Sequence, residues 1–219
     1  QNNTEFTATG GVTVVAAGGM GGNIERVKEN WYKPWGSPPE TILNGSHQYA
    51  LGDLHDAVGQ LNGNVTHLEH SWPYAGGVHH PRPRHKDHGL SLVPPKSALW
   101  LNYKGERFGP EPLVTAFDPR YCVERICQEP KKYSWQVLNM KIMYKEFAIS
   151  GAESNEAIRD KNWLKFITTV LFGNKKLVHD MLDNCPDFVT ANSIEELADK
   201  MNALQGDNDV DVTLLRDSI

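Results

Sequence analysis

A run of β-branched residues in this chain ends in four closely spaced glycines and leads directly into a helical pattern. The run covers residues 12–23, Val-Thr-Val-Val-Ala-Ala-Gly-Gly-Met-Gly-Gly-Asn, and the helical pattern covers Ile24 to Trp31. Glycine tolerates positive φ and has no Cβ, so a ligand can approach such a turn closely. The helix that follows presents unpaired N–H groups at its start, which is the geometry of a nucleotide-binding crevice. The glycines lack the Gly-x-Gly-x-x-Gly spacing of a first dinucleotide turn, so a purely structural turn is an equal alternative.

The strand predicted at residues 12–17 has no preceding element with which to pair. A lone strand leaves its polar edges unpaired and its apolar faces in water. The chain also begins with Gln1 rather than with an initiator methionine. We therefore expect the chain to be a piece of a longer protein, in which upstream sequence completes the sheet.

The composition is that of a globular chain with room for one or two domains. Its 219 residues are 39% hydrophobic, which is ample for a packed core. The net charge of −5 argues against nucleic acid as a partner, because affinity for phosphate needs a basic surface.

No apolar run approaches the ~20 residues that span a bilayer, and the N-terminus has no signal-peptide pattern, so we expect a cytoplasmic location. The three cysteines, Cys122, Cys127 and Cys185, match no metal or redox spacing and predict reduced structural thiols.

The first half of the chain alternates short elements with loops. Residues 53–61 are predicted to form a helix that Asp53 caps. Val65 to Glu69 is predicted to be a short strand. Residues 71–96 are rich in proline and histidine and show little periodicity, which predicts a long loop; such loops in compact domains are usually functional or disordered.

The second half of the chain is predicted to be mainly helical. Strands are expected at residues 98–102 and 133–138, with a turn at Lys104-Gly after the first of them. Six helices are predicted in this half. The first starts at Asp118, the next three cover residues 140–149, 155–172 and 174–184, the fifth starts at Asn192-Ser193, and the last covers Val212 to Ser218.

Four motifs occur in this chain in the order that one flavoprotein family shows. Residues 14–23 resemble a second FAD motif of that family, and Gly52-Asp53 before an alanine-containing helix resembles its Gly-Asp turn. Residues 101–111, Leu-Asn-Tyr-Lys-Gly-Glu-Arg-Phe-Gly-Pro-Glu, are similar to the entry into its capping domain, and Ser193 to Lys200 resemble a late segment of that cap. Together the motifs resemble the flavoprotein subunits of fumarate reductase and succinate dehydrogenase and the related 3-ketosteroid dehydrogenases.

The resemblance implies an α+β fold, with an α/β portion of a flavin domain and a mainly helical α+β capping domain. Residues 1–96 would then be the middle of the FAD-binding domain, and residues 97–219 an incomplete capping, or substrate, domain. The implied cofactor is FAD, and its predicted contacts are Ala17, Gly18, Gly19, Gly22, Asn23 and Asp53. The pyrophosphate-binding turn would precede Gln1 and another flavin-contacting segment would follow Ile219. We therefore expect this chain alone to bind FAD weakly or not at all and to be inactive.

The resemblance further implies an oxidoreductase that exchanges a hydride between FAD and a small organic substrate of the CH–CH or enone type. The rest of its own flavoprotein chain is an implied partner. Arg107 and Glu111 match the family motif and are predicted catalytic residues, with a surface ion pair as the alternative. Tyr144 is predicted to act as acid or base, with a core tyrosine as the alternative. Met143 falls where fumarate-reducing members carry a proton-donating arginine, so fumarate or succinate chemistry is not expected.

The loop His79-His-Pro-Arg-Pro-Arg-His-Lys-Asp-His supports more than one hypothesis. His79, His80 and Arg82 are predicted to bind an anionic or carbonyl group of the substrate, with a solvated basic loop as the alternative. Imidazoles and carboxylates also ligate zinc, but prolines and three cations interrupt the spacing, so no metal residue is assigned. A metal-binding protein that uses loop 79–88 and a noncatalytic binding module are the alternatives to the flavoprotein hypothesis.

Overall fold

The computed structural model describes residues 7–109 and 118–219, which form a mixed α+β structure and confirm the predicted fold class. The helices are α1 (Ile24–Glu29), α2 (Asp53–Gln60), α3 (Pro119–Cys127), α4 (Met140–Glu146), α5 (Glu156–Arg159), α6 (Trp163–Phe172), α7 (Lys175–Asn184), α8 (Ile194–Gln205), α9 (Val212–Ser218) and a 3-10 helix (Lys33–Trp35). The strands are β1 (Gly77–His79), β2 (Gly89–Val93), β3 (Leu99–Leu101), β4 (Trp135–Val137) and β5 (Ala148–Ile149).

The named strands form two antiparallel sheets. In the larger sheet, β2 lies between β1 and β5, with Val78 opposite Leu90 and Leu92 opposite Ile149. In the smaller sheet, β3 pairs with β4. The pairing of β2 with β5 joins segments from the two sides of the domain boundary predicted after residue 96. The division into two domains therefore stays a prediction.

The prediction of a long loop at residues 71–96 is wrong, because this stretch contains the hairpin of β1 and β2. Prolines and histidines between the two strands conceal their short alternating patterns. The hairpin is also stabilised by residues that are remote in sequence: β5 pairs with β2, and Asn44 forms a bridge with His88. Tertiary pairing of this kind leaves no trace in local periodicity.

Two predicted helices are shorter than the sequence indicates. The helix predicted at residues 140–149 ends with α4, since the residues of β5 pair with β2 instead of continuing it. The helix predicted at residues 155–172 is two helices, α5 and α6. Between them Lys161 adopts a left-handed φ of 53°. Asn162 then caps α6 by accepting a hydrogen bond from the backbone N–H of Lys165.

The two strands predicted in the N-terminal third are wrong. Residues 12–17 form no strand, and the side chains of Val12 and Val14 are 84% and 82% exposed. No strand of the described ranges pairs with this segment, and an unpaired strand gains no ladder hydrogen bonds. Residues 65–69 also form no strand, although they contain β-branched residues.

The remaining predicted elements are confirmed, and local caps explain where several of them begin. The side chains of Asp118, Ser193 and Asp211 accept hydrogen bonds from backbone N–H groups in the first turns of α3, α8 and α9. Glu196 adds a second contact at the start of α8 by accepting a hydrogen bond from the N–H of Asn192. Short-range capping signals therefore fix these boundaries.

The core is divided among clusters that β3 and α3 connect. Neighbouring residues of β3 serve different clusters: Trp100 packs against α3, and Leu101 packs among α8 and α9. Neighbouring residues of α3 do the same, since Cys122 joins the Trp100 cluster and Val123 packs with Trp35. The helix α3 thus ties the N-terminal segment to the rest of the described chain.

The cysteines are free and buried, which confirms the prediction of reduced thiols. Burial raises the pKa of the Cys122 and Cys185 thiols to about 11, so both stay protonated near neutral pH. Within the two described ranges, none of the helices has the length and apolar content needed to cross a membrane.

Truncation of Leu101 tests this core. Leu101→Ala should lower the free energy of unfolding by about 2–5 kcal/mol, because the side chain is fully buried and its loss leaves a cavity. The matched control Leu61→Ala removes the same atoms from a side chain that is 83% exposed, and should change stability by less than about 0.5 kcal/mol. Denaturant unfolding followed by circular dichroism measures both, and equal losses would contradict the core described above.

Candidate functional site

The glycine-rich turn has a packed half and an open half. The backbone N–H of Gly22 donates a hydrogen bond of 2.9 Å to the carbonyl oxygen of Ala50. A Cβ at Gly22 would lie 2.6 Å from the carbonyl oxygen of Gln48, so a larger residue does not fit. By contrast, a Cβ at Gly18 or Gly19 would meet no atom of the described residues within 4 Å. The first two glycines therefore leave their backbone open to a ligand.

Arg26 holds the predicted Gly-Asp turn, Gly52-Asp53, beside the glycine-rich turn. Its guanidinium donates two hydrogen bonds of 2.8 Å to the carboxylate of Asp56 and one of 3.4 Å to the carbonyl oxygen of Gly52. The hydrogen bond from Arg26 lowers the pKa of the Asp56 carboxyl. Gly52 is the N-cap of α2 with a φ of 87°, a region that favours glycine. The predicted cap, Asp53, is wrong, because Asp53 is the first residue inside the helix.

A cleft of about 370 Å³ brings the turn together with the histidine-rich loop. Gly22 and Asn23 line it, and so do residues 85–87 of the loop. The side-chain oxygen of Asn23 accepts a hydrogen bond from the N–H of Arg26 and so caps α1. The other predicted cofactor residues are exposed and do not line this cleft; they are Ala17, Gly18, Gly19 and Asp53.

Asn44 joins the two sides of the cleft by hydrogen bonds, and this role was not predicted from the sequence. Its backbone N–H donates to the carbonyl oxygen of Asp87 at 2.7 Å, and its own carbonyl accepts from the N–H of Gly89 at 3.0 Å. Its side-chain oxygen accepts from the backbone N–H and the hydroxyl of Ser46, both at 2.9 Å. The dipeptide Asn44-Gly is a turn signal that could have identified this anchor.

Two of the three predicted substrate-binding side chains contact carboxylates on or near α7. Nδ1 of His79 lies 2.9 Å from both carboxylate oxygens of Asp187. Arg82 donates hydrogen bonds of 2.8 Å and 2.6 Å to the two carboxylate oxygens of Asp180 on α7. These contacts hold the hairpin against the region around α7, and Asp180 neutralises the charge of Arg82. Substrate binding by His79, His80 and Arg82 stays a prediction.

His80 belongs to a stack of histidines within the loop. Its buried ring lies parallel to that of His88, and the two ring centroids are 4.2 Å apart. The ring centroids of His85 and His88 are 4.3 Å apart. Burial is the main cause that lowers the pKa of both His80 and His88. Over residues 7–109 and 118–219, no group of three or more His, Cys, Asp or Glu side chains is placed to hold a metal ion.

The predicted catalytic residues lie in different parts of the structure. Arg107 follows β3, and its backbone N–H donates to the hydroxyl of Ser218 on α9, while its side chain is exposed. Tyr144 lies on α4 and packs at the edge of the cluster around α7. Within the described part of the chain, Arg107 and Tyr144 share no hydrogen bond. Glu111 lies outside the described residues. Met143, the counterpart of a proton-donating arginine in the predicted alignment, is buried in the core.

Tyr144 has a partner that the sequence reasoning missed. Its hydroxyl lies 3.0 Å from Nε2 of His179 on α7, and the ammonium of Lys175 lies 5.5 Å from the centroid of its ring. Lys175 and His179 are four residues apart, so they share one face of the predicted helix at residues 174–184. A phenol hydrogen-bonded to an imidazole can pass a proton in either direction. The pair can therefore donate or accept a proton.

The chain is similar to mycobacterial proteins along most of its length. It is 33% identical over 200 residues to a KsdD-like steroid dehydrogenase of Mycolicibacterium smegmatis. It is 34% identical over 201 residues to KsdD-like steroid dehydrogenases of two Mycobacterium tuberculosis strains. Each alignment covers 91% of this chain, and the chain spans only 35–36% of the length of these relatives. No family model and no solved structure matches the chain.

These matches and the four ordered motifs define the same class, the proteins related to 3-ketosteroid dehydrogenases. Within this class, the relatives that the chain matches are KsdD-like steroid dehydrogenases. The resemblance inferred from the motifs is thereby confirmed for the ketosteroid branch.

The histidine stack predicts a loss of stability in acid. The pKa values of His80 and His88 lie below the usual 6.5 in the folded chain, so the unfolded chain takes up protons first as the pH falls. Their contribution is fully present above pH 6.5 and is lost on acidification below it. The urea midpoint should therefore fall between pH 7.5 and pH 5.5, and this fall should be smaller in His80→Gln. The exposed His70→Gln is the control, and an unchanged pH dependence in His80→Gln would overturn the assignment.

Proposed function

We propose that the full-length protein is a flavin-dependent dehydrogenase of steroid-like ketones, to which this chain contributes part of the FAD site and much of the substrate-binding cap. The observation that carries the proposal is the open backbone of Gly18 and Gly19, held beside the Gly52 turn by Arg26. The names of the relatives, which are steroid dehydrogenases, support the substrate class. Residues 1–96 would belong to the FAD-binding domain and residues 97–219 to the capping domain.

The residues of the glycine-rich turn fit a flavin nucleotide at its open half. At Gly18 and Gly19 a ligand would meet no side chain before it reached the backbone. Gly22 and Asn23 would shape the turn from behind, since Gly22 packs against the backbone at Gln48. Bound FAD would supply the hydride-transfer chemistry. The contacts available here are few, and we keep the expectation that this chain alone binds FAD weakly.

Tyr144 and His179 would polarise the ketone of the substrate during hydride transfer. With Nε2 of His179 protonated, this N–H donates to the hydroxyl oxygen of Tyr144, and the hydroxyl donates its own hydrogen to a carbonyl oxygen of the substrate. Such a hydrogen bond polarises the carbonyl and acidifies the adjacent C–H bond. The hydroxyl of Tyr144 would keep its hydrogen throughout, so the pair would be ready for the next turnover without reprotonation.

At the histidine-rich loop, the pairing of Arg82 favours an uncharged substrate over a dicarboxylate. A dicarboxylate such as fumarate needs unpaired cations to hold its two negative groups. Arg82 is already paired with Asp180, and the ring of His79 lies beside the carboxylate of Asp187. Met143 is buried and has no proton to donate. A ketone of the steroid class needs one hydrogen bond to its oxygen and an apolar surface for its rings.

A matched pair of glycine substitutions tests the cofactor site. Gly19→Ala in the intact protein should leave the free energy of unfolding nearly unchanged, because the new methyl group meets no described residue. It should weaken FAD binding by at least about tenfold, because the methyl group would occupy the ligand's position. Gly22→Ala should instead destabilise the protein by about 1–3 kcal/mol, because the methyl group would contact the backbone at Gln48.

Flavin absorbance after gel filtration and thermal unfolding separate these two effects. Retention of wild-type FAD affinity in Gly19→Ala would refute the proposed position of the cofactor. A colourless intact protein would refute the flavoprotein assignment altogether.

A tyrosine substitution tests the proposed reaction. In the intact protein, Tyr144→Phe should lower kcat for a 3-ketosteroid by about a hundredfold or more, as expected for loss of a hydrogen bond to the charge that develops on the substrate oxygen, and leave the flavin absorbance unchanged. Tyr133→Phe is the matched control, because it removes a buried hydroxyl that has no hydrogen-bond partner among the described residues. Stopped-flow reduction of the flavin measures both. Wild-type kcat in Tyr144→Phe would contradict the role of the tyrosine, and efficient fumarate turnover would contradict the substrate class.

A further inference from the structure

The helix α6 exposes large apolar side chains to an unusual degree. Six of its ten residues are large, apolar and between 51% and 76% exposed; they are Trp163, Leu164, Ile167, Val170, Leu171 and Phe172. Elsewhere in the described chain, helices such as α7 and α8 direct residues like Met181 and Met201 into the core. Exposed apolar area of this kind marks an interaction surface.

Five of these side chains, all except Phe172, form one stripe on the outer side of the helix. With successive residues of an α-helix turned by ~100°, they fall within an arc of about 120°. Phe166 and Thr169 lie on another side and are partly buried. Lys165 lies opposite the stripe and forms an ion pair with Glu156. The helix is therefore amphipathic, with its apolar face turned away from the protein.

Cations stand at both ends of this stripe. Lys161 precedes α6, and Lys175 and Lys176 follow it. In the ranges that the structure describes, none of these three lysines makes an ion pair. Residues 153–176 contain five cationic and three acidic side chains, so this segment is positive although the whole chain carries a net charge of −5. The apolar stripe thus has lysine side chains at both of its ends.

We propose that α6 docks on an anionic lipid surface, with its apolar stripe at the boundary of the acyl chains and its flanking lysines among the headgroups. The helix is about 15 Å long and would lie in the plane of the surface rather than span it. Tryptophan at one end and lysines at both ends match the two chemistries of a lipid interface. Protein interfaces are depleted in lysine, which favours lipid over a protein partner here. The proposal does not rest on the dehydrogenase function.

Vesicle sedimentation of the intact protein tests the proposal. Vesicles of phosphatidylcholine with phosphatidylglycerol should sediment the protein, and vesicles of phosphatidylcholine alone should bind it more weakly. Ile167→Glu should reduce binding to the anionic vesicles by about tenfold or more, because it places a carboxylate in the middle of the stripe. Leu61→Glu is the matched control on another exposed apolar side chain and should leave binding unchanged.

A charge variant separates the two components of the surface. Lys175→Gln combined with Lys176→Gln should lower binding to anionic vesicles and make it less dependent on salt. Absence of binding to either vesicle, or equal binding by Ile167→Glu and wild type, would overturn the proposal. A loss of oligomer mass or of thermal stability in Ile167→Glu, without vesicle binding by the wild type, would also overturn it and would assign the stripe to a protein contact.

Discussion

The position of β2 constrains most of the described structure, because contacts from several separate stretches of the chain meet on this hairpin. β2 pairs with β1 on one edge and with β5 on the other. Asn44 hydrogen-bonds to the backbone at Asp87 and Gly89, where β2 begins. Asp180 on α7 holds the preceding loop through Arg82. The loop, the cleft beside the glycine-rich turn and the helical region therefore keep their positions together, and a change in any one of these contacts would act on the others.

The glycine-rich turn shows that glycines in one motif serve different physical purposes. At Gly22 the absence of a Cβ is required by the fold itself, because the backbone at Gln48 occupies the space where a Cβ would lie. At Gly19 the same absence leaves open space, which the described chain does not use. A motif match treats both positions alike. The distinction matters for function, because only an opening that the chain leaves unfilled can accommodate the backbone approach of a cofactor.

Local signals in the sequence predicted those elements whose boundaries depend on local contacts. Ser193 caps α8 and Asp118 caps α3, and both helices begin where their caps predict. Prediction failed where the deciding partner is remote, as for the hairpin, for β5 and for residues 12–17. The site follows the same division: the motifs identified both glycine turns, but no periodicity signals the pair of Arg26 with Asp56, which lie 30 residues apart and place the turns together. The sequence also gave no sign that Asp180 would neutralise Arg82.

The two exposed apolar segments differ in what can cover them. Around Val12 and Val14 the backbone forms no ladder, so a pairing strand would satisfy N–H and C=O groups as well as bury side chains. In α6 the backbone is already hydrogen-bonded within the helix, so a partner gains chiefly by burying the stripe. The nearest cation after Val14 is Arg26, which Asp56 neutralises, whereas α6 has lysines at both ends. The same hydrophobic effect therefore favours completion of a sheet at the first segment and docking on an anionic surface at the second.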